Sequence, residues 1–100
     1  MATLQALTEA IAKRAAQNPR LGYKVKFQLD DGVIVWDGTV TPPVVGNENG
    51  PVDTTMKITS ANLEKMLAGS LDPTMAYMTG KLKVEGSLGV AMKLSGMLGD

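Results

Sequence analysis

The sequence contains no cysteine and no histidine among its 100 residues. The lack of cysteine excludes a disulfide framework and thiolate chemistry, and is compatible with a reducing compartment. The lack of histidine removes the imidazole general base, the usual catalytic triads and the common zinc sites. Catalysis would have to rest on carboxylates, lysine or tyrosine, and we identify no catalytic residue, metal site or cofactor site among them. We therefore expect that the protein is not an enzyme.

An excess of charge of one sign is also missing, because ten Lys and Arg balance ten Asp and Glu. Neutralising a phosphate backbone requires a basic excess, so we expect no nucleic-acid partner. No stretch approaches the roughly 20 apolar residues of a membrane span, and the start of the chain lacks the cationic and apolar segments of a signal peptide. The length fits one domain over residues 1–100. We expect a cytoplasmic protein.

Aromatic residues are scarce, at 4%, but methionines are plentiful. Six of the seven methionines lie between Met56 and Met97, and residues 73–98 consist almost entirely of apolar, glycine and lysine residues. Methionine is flexible and polarizable, and clusters of it occur at adaptable binding surfaces as well as in ordinary cores. This region predicts binding of an apolar ligand.

The first half of the chain predicts a helix followed by a β-hairpin. Apolar residues recur at helical spacing from Leu4 to Ala15, and Asn18 and Pro19 end the pattern. Residues 23–29 then alternate between apolar and polar, as in a half-buried strand. If Asp31 and Gly32 form a two-residue loop, Phe27 faces Trp36, Leu29 faces Ile34, and Lys26 faces Asp37.

The second half predicts shorter elements. Prolines, glycines and asparagines between Pro42 and Pro51 predict a long loop or an irregular edge hairpin. A one-sided strand over residues 54–58 is followed by a helix capped by Ser60, a short helix opened by Asp72 and Pro73, a strand over residues 81–85, and a final helix from Ser87. Strands with one polar face predict an α+β fold, in which a largely antiparallel sheet has water on one side and helices on the other.

Five lysines fall on the polar side of these strands: Lys24, Lys26, Lys57, Lys81 and Lys83. One interpretation is a solvated face whose edges are protected by lysine. The other is a weak docking surface for anionic membranes.

The final helix is apolar around nearly its whole circumference, and Lys93 is its only charged residue. Such a helix is normally buried on all sides, whereas a helix covering a sheet is buried on one. A neighbouring helix, a second subunit or a ligand would cover the remainder. Imperfect packing at a chain end is the alternative.

Several of these features resemble the sterol carrier protein type 2 lipid-transfer domain. They are Asp53 before the strand of Thr54, Met56 and Ile58, the helix from Leu63 to Gly69, the pair Asp72 and Pro73, and MTGKLKVEGSLGVAMKL at residues 78–94. The resemblance, to a stand-alone bacterial-type member, implies a mixed five-stranded sheet with helices on one face. It also implies an apolar tunnel between them for sterols, fatty acids, acyl-CoA or phospholipids, lined here by Leu88, Met92 and Leu94.

Together, these observations predict a non-enzymatic carrier that binds and transfers an apolar lipid, such as a fatty acid, acyl-CoA, sterol or sterol-like polycyclic lipid. The alternative is a protein-interaction or homodimerisation module that uses Val90, Met97 and Leu98 of the last helix. Trp36 is either a ligand platform or a core residue. The predicted lipid-binding residues are Phe27, Trp36, Met56, Ile58, Met66, Met75, Met78, Leu82, Leu88, Met92 and Leu94.

Overall fold

The computed structural model describes residues 3–18 and 21–98. This part of the chain forms helices and strands in the order αβββ, then βααβα. In chain order they are α1 (Leu4–Gln17), β1 (Lys24–Gln28), β2 (Val33–Asp37), β3 (Val44–Gly46), β4 (Thr54–Lys57), α2 (Ser60–Leu67), α3 (Pro73–Met78), β5 (Lys83–Glu85) and α4 (Leu88–Ser95).

The strands form one sheet in the order β3-β2-β1-β4-β5. Strand β1 pairs with β4 in parallel, and the other three pairings are antiparallel. The predicted α+β fold with a mixed, largely antiparallel five-stranded sheet is therefore confirmed. The segment between Pro42 and Pro51 contains the short edge strand β3, which Asn47 ties to α1 and β2 through bonds from its Nδ2 to Thr8 Oγ1 (3.0 Å) and the Val33 carbonyl (2.9 Å).

The first hairpin is present, but its predicted register is wrong by two residues. Phe27 pairs with Ile34, and Trp36 pairs with Val25. Asp37 lies opposite Lys24, with Nζ and Oδ2 4.0 Å apart, and not opposite Lys26. A shift of two leaves every side chain on its predicted face, because the side-chain period of a strand is two.

The physical reason for this register is the turn. The predicted loop was Asp31 and Gly32. The Leu29 N–H donates to the Gly32 carbonyl at 2.8 Å, however, so Leu29 and Gly32 flank the turn and the two-residue loop consists of Asp30 and Asp31. The Asp30 carboxylate accepts from the Ser60 N–H at 2.7 Å, and the Asp31 carboxylate accepts from the Ser60 hydroxyl at 2.5 Å. The turn thus holds the first turn of α2, where backbone N–H groups lack helical partners.

This contact predicts an acid-sensitive part of the stability. The bond from the Ser60 N–H is the largest cause that lowers the pKa of Asp30 below its ordinary value of 3.8. The carboxyl of Asp30 therefore has a higher pKa in the unfolded chain than in the folded protein, and acidification favours the unfolded chain. The stability that this contact contributes should be fully present above pH 3.8 and should be lost as the pH falls through the lower folded-state pKa. In urea titrations at pH 7 and pH 3, Asp30→Asn should lose less stability on acidification than the wild type. Glu48→Gln, at an exposed loop position, should behave as the wild type; equal losses in all three proteins would contradict this assignment.

The helices begin at side-chain caps. Thr3, Asp72 and Ser87 accept from the backbone N–H three residues later at the starts of α1, α3 and α4. For α2 the cap is Thr59, whose hydroxyl accepts from the Asn62 N–H at 3.2 Å, so the prediction of Ser60 was wrong by one residue. Ser60 instead binds the hairpin turn, which occupies its side chain.

One hydrophobic core lies between the helices and the inner face of the sheet. Across this face, direct partners form two rows, one of Val45, Trp36, Val25 and Thr54 and one of Ile34, Phe27, Met56 and Val84. Helix α1 packs over β2 and β3, while α4 packs over β4 and β5. The two helices therefore cover opposite halves of the sheet.

Candidate functional site

The inner face of the sheet brings four predicted lipid-binding residues together. Phe27 and Met56 are direct neighbours on the parallel strands β1 and β4. Trp36 lies on β2, two strands from β4, which is about 10 Å across a sheet. All four side chains are buried in the same core: Phe27, Trp36, Met56 and Ile58.

The helical layer and the start of β5 place four more predicted residues around this face. Met66 of α2, Leu94 of α4 and Leu82 before β5 are buried in the core, and Met92 of α4 packs against it while half-buried. The sheet floor and its helical cover are thus both apolar. Most residues of this enclosed set can contact the apolar body of a lipid only if the helical cover moves outward.

The remaining three predicted residues point elsewhere. Met75 and Met78 on α3 are 54% and 73% exposed, and Leu88 at the start of α4 is 41% exposed. Helix α3 buries only Ala76, so its methionines lie on the outer side of the helical layer. Helix α4 is correspondingly buried on one side, where its own residues Ala91, Leu94 and Ser95 face the core.

A cleft opens in the helical layer between the end of α2, the start of α3 and the end of α4. We refer to it as the helical cleft. Its volume is about 360 Å³, and Met66, one of the predicted lipid-binding residues, is among the residues that line it. The lining residues are Met66, Gly69, Leu71, Asp72, Pro73, Ser95 and Gly96.

A second cleft, the outer cleft, lies on the opposite face of the sheet beneath the loop after β3. Its volume is about 330 Å³, and it combines Val35 and Val44 with Lys24, Asp37 and Glu48. The Thr39 hydroxyl and backbone N–H both donate to the Asp37 carboxylate, and the hydroxyl bond is the main cause that lowers the pKa of this group. The outer cleft is therefore more charged, and it is separated by the sheet from the methionine-rich core.

The lysines of this outer face are partly engaged in ion pairs. Lys57 Nζ lies 2.6 Å from Glu85 Oε1, and Lys24 lies 4.0 Å from Asp37. Exposed pairs of this kind contribute little to stability, but they reduce the net charge that the face presents.

Trp36 has an unusual polar feature. Its side chain is 0% exposed, and within residues 3–18 and 21–98 its indole N–H has no hydrogen-bond partner. A buried donor without a partner costs about 1–3 kcal/mol, and most such groups in proteins are paired. Trp36 therefore offers a hydrogen bond to an acceptor that reaches the inner face.

Arg14 holds the helical layer together and was not recognised in the sequence. Its Nε donates to the Leu98 carbonyl at 2.5 Å, and its Nη2 donates to the Leu67 carbonyl at 3.2 Å. The Leu98 carbonyl lies after the C-terminus of α4, and the Leu67 carbonyl lies at the C-terminus of α2. A cation is favourable at these positions because the negative end of the helix dipole is there. The spacing of α1 indicated only that Arg14 lies off the apolar stripe.

The end of α4 is fixed by the same contacts. Leu98 is 0% exposed within the single chain, while Val90 and Met97 are partly buried against the core. Of the three residues of the predicted dimer interface, the protein's own core covers Leu98 fully and Val90 and Met97 only in part, and the homodimer stays a prediction. The core side chains beneath the helices are buried, and the tunnel stays a prediction.

Comparison with known proteins places this architecture in a family. The model of the SCP-2 sterol transfer family matches residues 2–99. Hydroxysteroid dehydrogenase-like protein 2 of Xenopus laevis is 44% identical over 55 residues, which is 55% of this chain and 13% of that protein. The chain thus spans a small part of this relative's length.

Solved structures share the fold at lower identity. Sterol carrier protein 2 from Yarrowia lipolytica, in its apo form, superposes with a TM-score of 0.66 and 21% identity, covering 91% of this chain and 75% of that one. A sec-alkyl sulfatase superposes with a TM-score of 0.74 and 21% identity, covering 99% of this chain and 17% of the sulfatase. The match along nearly the whole sequence, with the five-stranded sheet and its helical cover, shows that the chain belongs to the SCP-2 sterol transfer family.

Proposed function

We propose that the protein is a non-enzymatic carrier that binds an apolar lipid between the helical layer and the inner face of the sheet. Candidate ligands are a fatty acid, an acyl-CoA, a sterol or a sterol-like polycyclic lipid. The observation that carries the proposal is the helical cleft, because it opens between three helices and is lined in part by the core residue Met66. Membership of a family described by sterol transfer supports the same conclusion.

The helices beside the cleft are suited to outward movement. Helix α3 is six residues long, buries one side chain, and lies between Gly69 and Gly80, which both have positive φ angles of 79°. Helix α4 contains Gly89, and glycine within a helix lowers its stability by about 1 kcal/mol relative to alanine. Helix α3 and the start of α4 are therefore the part of the cover that a ligand would displace most easily, since Arg14 holds the segment after α4.

Displacement of this cover exposes a surface that a lipid can bury again. Burial of apolar surface contributes about 25 cal/mol per Å², so about 300 Å² of lipid surface contributes about 7.5 kcal/mol. The methionines Met56, Met66 and Met92 can adjust their shape around such a chain because their side chains are flexible. Trp36 N–H would bind one acceptor oxygen of the lipid, such as a hydroxyl or carbonyl.

A carrier also agrees with the chemistry of the side chains. The sequence has no histidine or cysteine, and the described residues include no cluster of three or more metal-binding side chains. Hydroxysteroid dehydrogenase-like protein 2 and the sec-alkyl sulfatase are much longer than the segment matched here, and both are named for an enzyme activity. We therefore propose that the domain presents lipids to an enzyme.

Native mass spectrometry of gently purified protein tests the carrier function. We expect the mass of the chain plus one lipid, and the loss of that increment after organic extraction. The extracted protein should then take up a fluorescent fatty acid or fluorescent sterol from solution with saturation at one ligand per chain. Extracted protein that is folded by circular dichroism but takes up neither probe would overturn the proposal. A mass of two chains without lipid would favour the dimerisation alternative.

A further inference from the structure

The loop after β3 contains the one asparagine of this sequence that is followed by glycine, at Asn49 and Gly50. Residues 47–50 belong to no helix or strand, and the Asn49 side chain is exposed. The side-chain amide carbon of an asparagine and the backbone nitrogen of the next residue can close a five-membered ring. Glycine has no Cβ atom to hinder that approach. Asn49 and Gly50 therefore place the two groups in the arrangement that most favours their reaction.

The structure leaves both reacting groups free. Among the described residues, no hydrogen-bond partner is found for the Asn49 side-chain amide or for the Gly50 N–H. A Cβ atom at Gly50 would have no neighbour within 4 Å, so the space around this part of the backbone is open. Ring closure between Asn49 and Gly50 therefore requires neither the loss of a hydrogen bond nor the movement of packed side chains.

The asparagines at residues 18 and 62 lack these conditions. Asn18 precedes Pro19, which has no backbone N–H to react. Asn62 lies in α2, where the N–H of the next residue, Leu63, donates to the Thr59 carbonyl at 2.9 Å. Attack by the Leu63 nitrogen would break this helical hydrogen bond. Both sites are therefore protected, one by its covalent structure and the other by the helix.

Asn47 lies in the same loop and is protected by its contacts. Its Nδ2 donates to Thr8 Oγ1 at 3.0 Å and to the Val33 carbonyl at 2.9 Å, which fixes the orientation of the side-chain amide. The next residue is Glu48, whose side chain hinders the approach of its own backbone nitrogen. Asn47 is therefore an internal reference for Asn49, since the two share one loop but differ in both conditions.

We propose that Asn49 is a modification site, at which water converts the asparagine to isoaspartate and aspartate without an enzyme. The Gly50 nitrogen loses its proton and attacks the Asn49 Cγ atom, which forms the C–N bond of the ring. The bond from Cγ to Nδ2 breaks, and Nδ2 takes up a proton and leaves as ammonia. Water then adds to one of the two carbonyl carbons of the ring and breaks its bond to nitrogen. Opening at Cγ gives aspartate, and opening at the backbone carbonyl carbon gives isoaspartate.

The product changes the outer cleft. Glu48 and Gly50, on either side of the modified residue, both line this cleft, together with Lys24 and Asp37. A new carboxylate at residue 49 adds one negative charge there, in a chain whose formal net charge is zero. Isoaspartate also lengthens the loop backbone by one carbon atom. The sheet separates the outer cleft from the core, so the inference is independent of the proposed carrier function.

Peptide mass spectrometry after incubation of the folded protein at mildly alkaline pH tests the proposal. One tryptic peptide, residues 27–57, contains both Asn47 and Asn49, so its fragmentation compares the two sites in the same molecule. We expect the mass change of an amide converted to an acid at Asn49 alone, in two products of equal mass that chromatography separates. The conversion should be faster at higher pH, because the attacking nitrogen must lose its proton.

Gly50→Ala is the matched variant. The added methyl group meets open space at a φ outside the left-handed region, so the urea unfolding curve should be unchanged, but the methyl group hinders the attacking nitrogen. Conversion at Asn49 should slow at least about tenfold, which corresponds to about 1.4 kcal/mol in the barrier. The inference is overturned by the absence of conversion at Asn49, by equal conversion at Asn47, or by an unchanged rate in Gly50→Ala.

Discussion

Replacing Gly86 by alanine should lower the free energy of unfolding by about 2–6 kcal/mol. Gly86 joins β5 to α4 with a φ of +106°, a backbone conformation that costs other residues about 1–3 kcal/mol. A Cβ atom here would lie 2.7 Å from the Asp53 carbonyl oxygen and 3.1 Å from Thr54 Cα. Because both are backbone atoms, β4 or α4 must move, and such overpacking typically costs a further 1–3 kcal/mol or so.

The expected loss also bears on the site. Thr54 is 1% exposed, and its hydroxyl accepts from the Ser87 N–H at 3.2 Å, directly before α4 begins. A methyl group at residue 86 would lie 3.2 Å from this hydroxyl oxygen and disturb the bond. The substitution should therefore loosen α4 as well as destabilise the fold, and amides of α4 should exchange with solvent faster than those of β1.

Gly80→Ala is the matched control. Gly80 also has a positive φ, of 79°, but a Cβ atom there would have no neighbour within 4 Å. It should cost only the conformational strain, about 1–2 kcal/mol. Urea unfolding of the wild type and both variants measures the difference. If the two variants are equally destabilised, the close approach of Gly86 to β4 contributes nothing.

The strands show which features of this fold can be predicted from the sequence and which cannot. The inner faces of β1 and β4 follow from alternation, because only one face of each strand is apolar. The register of the first hairpin does not follow, since a shift by two residues conserves that alternation. Asp30 and Asp31 select the register by binding Ser60, and no local pattern relates residues 30 positions apart in the chain.

The candidate site was predictable to the same extent. Burial of Phe27, Met56 and Met66 follows from the period of their strand or helix. Helix α3 has no such guide, because PTMAYM at residues 73–78 lacks charged side chains on any face. The fold buries Ala76 and leaves Met75 and Met78 outside, which depends on how a six-residue helix sits against α4. Arg14 was missed for a similar reason, since the carbonyls that it binds are brought to it by tertiary structure.

Trp36→Phe should separate lipids that carry an acceptor oxygen from lipids that do not. If the indole N–H of Trp36 binds a ligand hydroxyl, the loss of one neutral hydrogen bond corresponds to about 0.5–1.5 kcal/mol, or up to roughly tenfold in affinity. A fluorescent sterol should bind the variant less tightly by this factor. Its 3-deoxy analogue, which has the same ring system without the hydroxyl, should bind both proteins within about twofold of each other.

The stability of the same variant provides the control for folding. Phenylalanine leaves a smaller ring in the core, which costs stability, but it also removes the buried donor without a partner, which costs about 1–3 kcal/mol in the unliganded protein. These effects oppose each other, so Trp36→Phe should change the free energy of unfolding by less than about 1.5 kcal/mol, whereas Trp36→Ala should lower it by about 3–5 kcal/mol. Equal loss of affinity for both sterols would show that Trp36 contributes shape alone, and unchanged affinity for both would place the ligand elsewhere. Only a selective loss for the hydroxylated probe agrees with a hydrogen bond from the inner face of the sheet.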